Sequence, residues 1–230
     1  MEKYRNELKY LCNNIELELI EKKICCIMKP DDNVSRDGNY VVRSVYFDDY
    51  RDSCFFENES GTNPREKFRI RIYNQEDKTI KLEKKIKNRQ KTLKQSCLLD
   101  YGLCEKLLKN EPCNDYFGEN SLLDEFLIKR NNSLMRPKVL VEYVRTPYIY
   151  TLGNVRVTFD KNIAASGSVE ELFSKDITRI SVFPSGHHVL EVKYDDYLPE
   201  TIAGCLDTGH LNRSSVSKYY ICRKALKGEI

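Results

Sequence analysis

Between Arg65 and Lys87 the chain alternates charged and apolar residues in a way that a β-hairpin accommodates and a helix does not. In the first arm Arg65, Lys67, Arg69, Arg71 and Tyr73 share one parity, and Phe68, Ile70 and Ile72 share the other. In the second arm Lys81, Glu83, Lys85 and Lys87 alternate with Ile80, Leu82 and Ile86. Successive side chains of a strand point to opposite faces, so each arm carries one apolar face and one densely cationic face. The polar run Asn74-Gln75-Glu76-Asp77 is the expected turn. Like charges facing each other across a hairpin destabilise it. The cationic face therefore implies either an anionic ligand or an ordinary solvated outer surface.

The same two-faced pattern recurs along the chain. Strands are expected over Tyr4–Leu11, Tyr40–Asp48, Lys138–Tyr150, Val155–Lys161 and Val189–Tyr194, with shorter ones at Lys91–Gln95 and Thr178–Phe183. Gly153-Asn154 marks a hairpin between two of them. Helices are expected after the Asn13/Glu16 capping box, through Leu103–Leu108, through Leu122–Leu127 with Ser121 as cap, and after the Ser168/Glu171 pair. Two more follow, from Pro199 to near Gly209 and over Val216–Lys227. No repeat or linker-like stretch divides residues 1–230, so a single domain is expected.

Charge excludes one class of partner. Lys and Arg number 38 against 35 Asp and Glu, giving a net charge of +3 and no basic block, which argues against nucleic acid. No apolar run has the length of a membrane span, and Met1-Glu2-Lys3-Tyr4-Arg5 lacks a signal-peptide core, so a cytoplasmic protein is expected. The nine cysteines are scattered, odd in number and free of C-x-x-C pairs, which points to free, mostly buried thiols rather than zinc or disulfides. His187 and His188 are adjacent and so point to opposite faces of a strand, and His210 is distant in sequence; no metal-binding histidine cluster results.

Strand after strand joins one apolar face to a face bearing Lys or Arg with a sparse acid: Arg5, Glu7 and Lys9; Arg69 and Arg71; Glu83 and Lys85; Arg145; Arg156 and Asp160; Glu191 and Lys193. With helices on the apolar side, such a sheet can close with its charged faces inward as a polar barrel. Burying that many cations without partners is prohibitive, so the interior must hold water and anions. Arginine suits phosphate through its bidentate fork, lysine acts as a point charge, and isolated glutamates suit a divalent metal.

These residues also fall into an ordered set: Glu7-Leu8-Lys9-Tyr10, Ser44-Val45-Tyr46-Phe47-Asp48, Arg65-Glu66-Lys67-Phe68-Arg69-Ile70-Arg71, Leu82-Glu83-Lys84-Lys85, Glu142-Tyr143-Val144-Arg145, Arg156-Val157-Thr158-Phe159-Asp160, Leu190-Glu191-Val192-Lys193 and Ser217-Lys218-Tyr219. The set resembles the VTC domain, the polyphosphate polymerase domain of the vacuolar transporter chaperone family, in a stand-alone microbial form. That domain belongs to the CYTH-like, or triphosphate tunnel metalloenzyme, superfamily. Each motif is short, but their order and shared parity span nearly the whole chain.

The resemblance implies an α+β fold: a closed antiparallel β-barrel forming a polar tunnel, with helices packed outside. It implies transfer of the γ-phosphoryl group of ATP to a growing polyphosphate chain with Mn2+ or Mg2+. Carried over by position, Lys9, Arg69, Arg71, Lys85, Arg145, Arg156 and Lys193 match phosphate-binding tunnel residues, and Lys218 matches a lysine on the C-terminal helix near one mouth. Glu191 matches the metal-binding glutamate, with Glu7 and Glu83 as helpers. Arg65 and a further tunnel lysine, Lys91 ahead of Lys94, complete the phosphate contacts.

Three departures stand out. The superfamily's hydrolases begin with Glu-x-Glu-x-Lys, whereas Arg5 precedes Glu7 and Lys9 here, which favours transfer over hydrolysis. Asn58 occupies a position expected to be basic, with Arg65 available to compensate. The membrane segments and accessory domain of the eukaryotic complex have no counterpart. A triphosphatase of the same superfamily and a non-catalytic polyphosphate or nucleotide sensor therefore stay open beside the polymerase. Lys84, Lys87 and Arg89 are expected on the outer surface, and Phe47, Phe68 and Tyr143 in packing roles.

Overall fold

The computed structural model describes residues 4–32, 34–207, 211 and 213–229; His210 and the expected helix end near Gly209 lie outside them. The cationic hairpin forms from β4 (Arg65–Tyr73) and β5 (Glu76–Asn88). Its turn is tighter than expected, because Glu76 already pairs with Tyr73 and only Asn74 and Gln75 are left in the bend. Both have positive φ, 52° and 61°, the backbone whose twist matches that of the flanking strands. Asn74 also accepts a hydrogen bond from the Val41 amide through its Oδ1, which fixes the turn against the neighbouring strand.

The other elements are β1 (Arg5–Asn13), α1 (Asn14–Ile24), β2 (Lys29–Pro30), β3 (Tyr40–Asp48), α2 (Ser53–Glu59), β6 (Lys91–Leu99), α3 (Tyr101–Leu108) and α4 (Ser121–Asn132). They are followed by β7 (Arg136–Tyr150), β8 (Val155–Ser166), β9 (Ile180–Ser181), β10 (His187–Tyr194), α5 (Glu200–Leu206) and α6 (Lys218–Leu226). Eight strands close in the order β7-β3-β4-β5-β6-β1-β10-β8 and back to β7, every pair antiparallel. The short β2 extends the sheet beside β7, and β9 beside β8. The closure is thinnest between β1 and β6, which pair only at Arg5–Thr92 and Asn6–Lys91. Beyond that point the wall is continued by Arg213, which bridges to Tyr10, and by the Ser214 amide, which donates to the Lys9 carbonyl.

The barrel is inverted as expected: its main apolar layers lie outside, under helices. Phe47, Phe68, Ile70 and Leu82 pack beneath α3 and α4, and Phe159, Leu190 and Val192 beneath α1 and α5. At about 25 cal/mol per Å² of apolar area, this burial is what drives closure around a polar interior. At one end, inward-parity Val139, Val141 and Val189 cluster with Tyr219 and Cys222, so α6 lies across that end on the β7–β8 side. A fully buried carboxylate fixes it there. Asp48 accepts from the Asp49, Cys54 and Phe55 amides and from the Tyr219 hydroxyl, tying β3, α2 and α6 together.

Several local expectations are corrected. Asn120, not Ser121, caps α4, accepting from the Leu122 amide at 2.9 Å. Ser168 makes no side-chain cap, and only a 3-10 turn, Val169–Glu171, follows it. All nine cysteines are free; Cys12, Cys104, Cys113 and Cys222 are buried, but Cys25 and Cys26 are exposed. Among the described residues no helix is long and apolar enough to cross a membrane.

Candidate active site in the barrel tunnel

The inward faces of the strands enclose a cavity of about 720 Å³. Of the residues singled out from the sequence, Glu7, Lys9, Arg65, Arg69, Arg71, Lys85 and Lys94 line it from β1, β4, β5 and β6. Arg145, Arg156, Glu191, Lys193 and Lys218 line it from β7, β8, β10 and α6. Two expectations fail. Lys91 has outward parity and is exposed, whereas Thr92 and Lys94 face inward, so Lys94 is the tunnel lysine of β6. Glu83 does not line the cavity; it lies 1% exposed behind Arg69, Arg71 and Lys94, at 2.6, 3.7 and 3.0 Å from them. It positions cations instead of joining the other glutamates.

Register explains the chemistry of each wall. On β1 and β10, Glu7 stands opposite Lys193 and Lys9 opposite Glu191, so opposite charges alternate. Lys193 reaches Glu191 at 2.7 Å and Glu7 at 3.6 Å, and Lys9 reaches Glu191 at 3.7 Å. Lys85 donates to both Glu7 oxygens, at 2.6 and 2.7 Å. Arg145 grips Asp160 at 2.6 and 2.8 Å, and Lys218 meets the same carboxylate at 2.6 Å. On β4 and β5 the register does the reverse, setting Arg65 opposite Lys87, Lys67 opposite Lys85 and Arg71 opposite Lys81.

Titration follows from these contacts. Burial alone would raise the Glu7 pKa, but Lys85, Lys9 and Lys193 outweigh it and hold the carboxyl at about 2. Glu191 is likewise held well below the usual range, burial being overcome by Lys193, Lys9 and Lys218. Lys85 is pulled down to about 7, chiefly by burial and further by Lys9 and Lys193. The two partners of the Glu7–Lys85 pair thus differ: the carboxylate is held ionised by three ammoniums, while burial and the neighbouring lysines lower Lys85 in spite of its contact with Glu7.

Some residues facing the cavity were not foreseen. Lys87 and Arg89, expected outside, line it, while Lys84 does lie on the outer face, paired with Glu125 at 2.5 Å and Glu66 at 3.2 Å. Lys67 extends its ammonium to Asn58 Oδ1 at 3.0 Å and Ser217 Oγ at 3.1 Å, so it supplies a positive charge beside the missing basic residue. Its parity with Arg69 was the available signal. Arg5 turns to Asp195 at 2.9 Å. Three tyrosines accept from tunnel arginines: Tyr46 from Arg69 at 2.8 Å, Tyr143 from Arg71 at 3.1 Å and Tyr40 from Arg156 at 3.1 Å. A phenol that accepts in this way keeps its own proton for another partner. Tyr143 packs as expected in the buried cluster with Val141 and Tyr219 and also faces the tunnel through its hydroxyl, while Phe47 and Phe68 are core residues.

Among the described residues, the pair that would hold a divalent metal is Glu7 and Glu191. Glu7 and Glu191 lie on neighbouring strands and both contact Lys9 and Lys193, so their carboxylates face a common space. No group of three or more His, Cys, Asp or Glu able to hold a metal exists among the described residues. Two carboxylates are the donor set of a hard cation that takes its other ligands from phosphate and water.

Comparison with solved structures places this architecture. A protein from Hippeastrum, HpAC1, described as an adenylyl cyclase candidate with a dominant triphosphatase activity, aligns with a TM-score of 0.55 at 13% identity. The alignment covers 98% of this chain and 96% of that one. The PH1819 protein from Pyrococcus horikoshii OT3 aligns with a TM-score of 0.50 at 12% identity, covering 96% of this chain and 98% of that one. The fold is that of the CYTH-like triphosphate tunnel proteins. A search of curated proteins gave no match. The VTC domain profile matches residues 4–227, and the chain belongs to the VTC domain family.

Proposed function

We propose that residues 1–230 act as one tunnel domain that transfers the γ-phosphoryl group of ATP to the end of a condensed-phosphate chain. The observation that carries this reading is the convergence of Arg69, Arg71, Arg145, Arg156, Lys85 and Lys193 on one enclosed cavity beside Glu7 and Glu191. Phosphoryl transfer needs positioning and charge neutralisation more than a covalent catalyst, and among the described residues no histidine or cysteine lines the cavity. In the step itself a terminal oxygen of the acceptor chain forms a bond to the γ-phosphorus. The bridge between the β- and γ-phosphates breaks, and its electron pair leaves with ADP. A terminal phosphate oxygen is already anionic, so no side chain has to take a proton from the nucleophile.

The arginines clamp the donor and acceptor phosphates, with Tyr46, Tyr143 and Ser44 fixing two guanidiniums from behind. Lys9, Lys85, Lys94, Lys193 and Lys218 neutralise the remaining charge. Glu191 and Glu7 would hold Mn2+ or Mg2+, which supplies electrostatic stabilisation to the transferring phosphoryl group. Hydrolysis to phosphate is the competing reading, favoured by the activity named for the Hippeastrum protein. Against it stands Arg5, which puts a guanidinium bound to Asp195 where the hydrolases have a third glutamate.

The test is incubation of pure protein with ATP, Mn2+ and a short polyphosphate primer, reading chain length on a gel together with free phosphate. Long chains are the expected result. Orthophosphate alone would replace the polymerase with a triphosphatase, and tight binding without turnover would leave a sensor.

A further inference from the structure

Lys218 reaches the tunnel from a helix, whereas Lys9, Lys85 and Lys193 stand on strands whose ladders fix their place. Its ammonium meets Asp160 at 2.6 Å and lies 4.9 Å from the centre of the Tyr143 ring. The preceding Ser217 accepts from Lys67 at 3.1 Å and from the Tyr220 amide at 3.4 Å. Both residues are placed only as well as α6 is placed, and a helix of nine residues does not hold itself in water. Its apolar contacts through Tyr219 and Cys222 bury it, but burial is non-directional and does not fix how the helix is turned. Hydrogen bonds do. Tyr219 donates to Asp48, and Arg223 donates to the Tyr219 oxygen at 3.1 Å and to the two Asp52 oxygens at 3.1 and 2.8 Å. Lys138 of β7 meets the same Asp52 at 2.9 Å.

The two carboxylates have exchanged their ordinary tasks to make this chain. Asp52 occupies the N-cap of α2, where an aspartate normally accepts from the second or third amide of its helix. It makes no such bond. Those amides, of Cys54 and Phe55, donate instead to Asp48, which is fully buried at the end of β3. Asp52 is left free for Arg223 and Lys138, and it does so from a left-handed backbone, φ 56° and ψ 37°. That conformation is uncommon outside glycine and persists where the surroundings over-determine it. Neither carboxylate lines the cavity, so any effect on the ligand has to pass through α6.

We infer that Asp48 and Asp52 are positioning residues: they latch α6 to β3 and α2 through Tyr219 and Arg223, and so set Lys218 in the tunnel. The assignment rests on the part of the proposed function that puts phosphate at Lys218, and is independent of the group that receives the phosphoryl. With the latch intact the ammonium is in place before the ligand arrives. With it loosened the charge remains, but part of the binding free energy goes into ordering the helix. Charge alone predicts the opposite sign, because removing a distant carboxylate makes the protein more positive and favours an anion.

The experiment is a double-mutant cycle on tripolyphosphate affinity, measured by calorimetry in metal-free buffer for wild type, Asp52→Asn, Lys218→Met and the two combined. Asparagine tolerates the left-handed backbone, the Asp52 side chain is 22% exposed, and a thermal melt checks that each variant is folded. Tyr219→Phe repeats the cycle from the other end of the latch and leaves Asp48 its three amide donors. Expected is a loss of about fivefold for either latch variant with Lys218 present, and of less than about twofold once Lys218 is methionine. Hydrogen exchange should quicken over Lys218–Leu226 and not in the strands. Equal losses in both backgrounds overturn the latch, as does quicker exchange of α6 with unchanged affinity. Chain growth from ATP is read in parallel. Coupling to Lys218 in a protein that makes no chains removes the polymerase reading and leaves the latch standing; chain synthesis by the wild type with uncoupled losses does the opposite.

Discussion

Two walls of one barrel treat charge in opposite ways. On the β1–β10 wall, Glu7 opposes Lys193 and Lys9 opposes Glu191, so each strand neutralises its neighbour. On the β4–β5 wall the register sets Arg65 against Lys87 and Lys67 against Lys85, and Glu83 alone interrupts the cations. Both walls rest on equally buried apolar layers, including Ile70 and Leu82 behind one and Leu190 and Val192 behind the other. The difference is therefore not one of core quality. A wall that is satisfied by itself serves to hold acids in place, whereas a wall left with surplus charge is built for something that arrives.

The largest effect should come from inverting charge where the two walls meet a ligand. Arg71→Glu sets a carboxylate against Glu83, now 3.7 Å from the guanidinium, and removes a charge-assisted contact to phosphate. Triphosphate affinity, measured by calorimetry, should fall by more than about 100-fold. Unchanged binding in a folded variant would mean that the surplus charge of this wall serves no anion. A smaller and different effect is expected on the satisfied wall. Glu191→Gln removes a carboxylate that Lys193 and Lys9 share, yet keeps its shape. Nucleotide binding without metal should stay within a few-fold, while metal-dependent turnover drops by about 10- to 100-fold. Metal dependence equal to that of the wild type would remove Glu191 from the metal site.

Parity carried most of this from the sequence alone. Alternation showed which residues of β4, β5 and β10 share a face, and the ordered motifs indicated that the face turns inward. What alternation could not show was depth. Glu83 has the parity of Lys85 but is sealed behind arginines, because Arg69 and Arg71 on the neighbouring strand reach across it. Lys91 is a different case: it shares parity with Leu93, Cys97 and Leu99, the apolar side of β6, so alternation by itself favours Lys94, which stands opposite Lys85. Lys87 keeps the parity of Lys85, so alternation does mark its face, whereas Arg89 lies past the end of β5, where the pattern gives no hint of how far the cavity extends. Arg213 was illegible for another reason: it belongs to no predicted element and enters the wall only through a bridge to Tyr10, far away in sequence.

The surplus charge should also be visible in pH dependence, with opposite signs for the empty and occupied tunnel. Lys67 and Lys85 titrate near 7 in the folded protein against 10.5 as the ordinary lysine value. Above pH 7 the unfolded chain therefore binds more protons at these positions, and their contribution makes the empty protein more stable as pH rises. Anion binding needs the ammonium forms and should weaken over the same interval. Around Lys67 stand Arg65, Lys9, Asp48, Glu57 and Cys54, and around Lys85 stand Glu7, Glu191, Lys9 and Lys193. Melting temperature from about pH 6 to 8.5, before buried thiols enter, isolates the effect when wild type is compared with Lys67→Met. The variant should have the flatter profile and lose a few-fold in polyphosphate affinity at about pH 6, with little change at about pH 8.5. Parallel profiles would mean that Lys67 keeps its proton throughout and lacks no counter-charge.

The smallest effect belongs to a residue one position away from one of the largest. Lys84 and Lys85 are neighbours on β5, so the pleat sends them to opposite faces. Lys85 enters the tunnel and meets Glu7; Lys84 lies outside, over the Phe68 ring at 5.7 Å, between Glu66 and Glu125. Lys84→Gln removes as much formal charge as Lys85→Gln does. It sits on the far side of a strand whose apolar layer separates the outer ion pairs from the cavity. Lys85→Gln should weaken tripolyphosphate binding by about tenfold, and Lys84→Gln by less than about twofold at physiological salt, where screening acts over about 8 Å. The pair tests direction rather than amount of charge. If both substitutions weaken binding equally, the ligand responds to the overall field of the protein, and the contrast between the two walls loses its meaning.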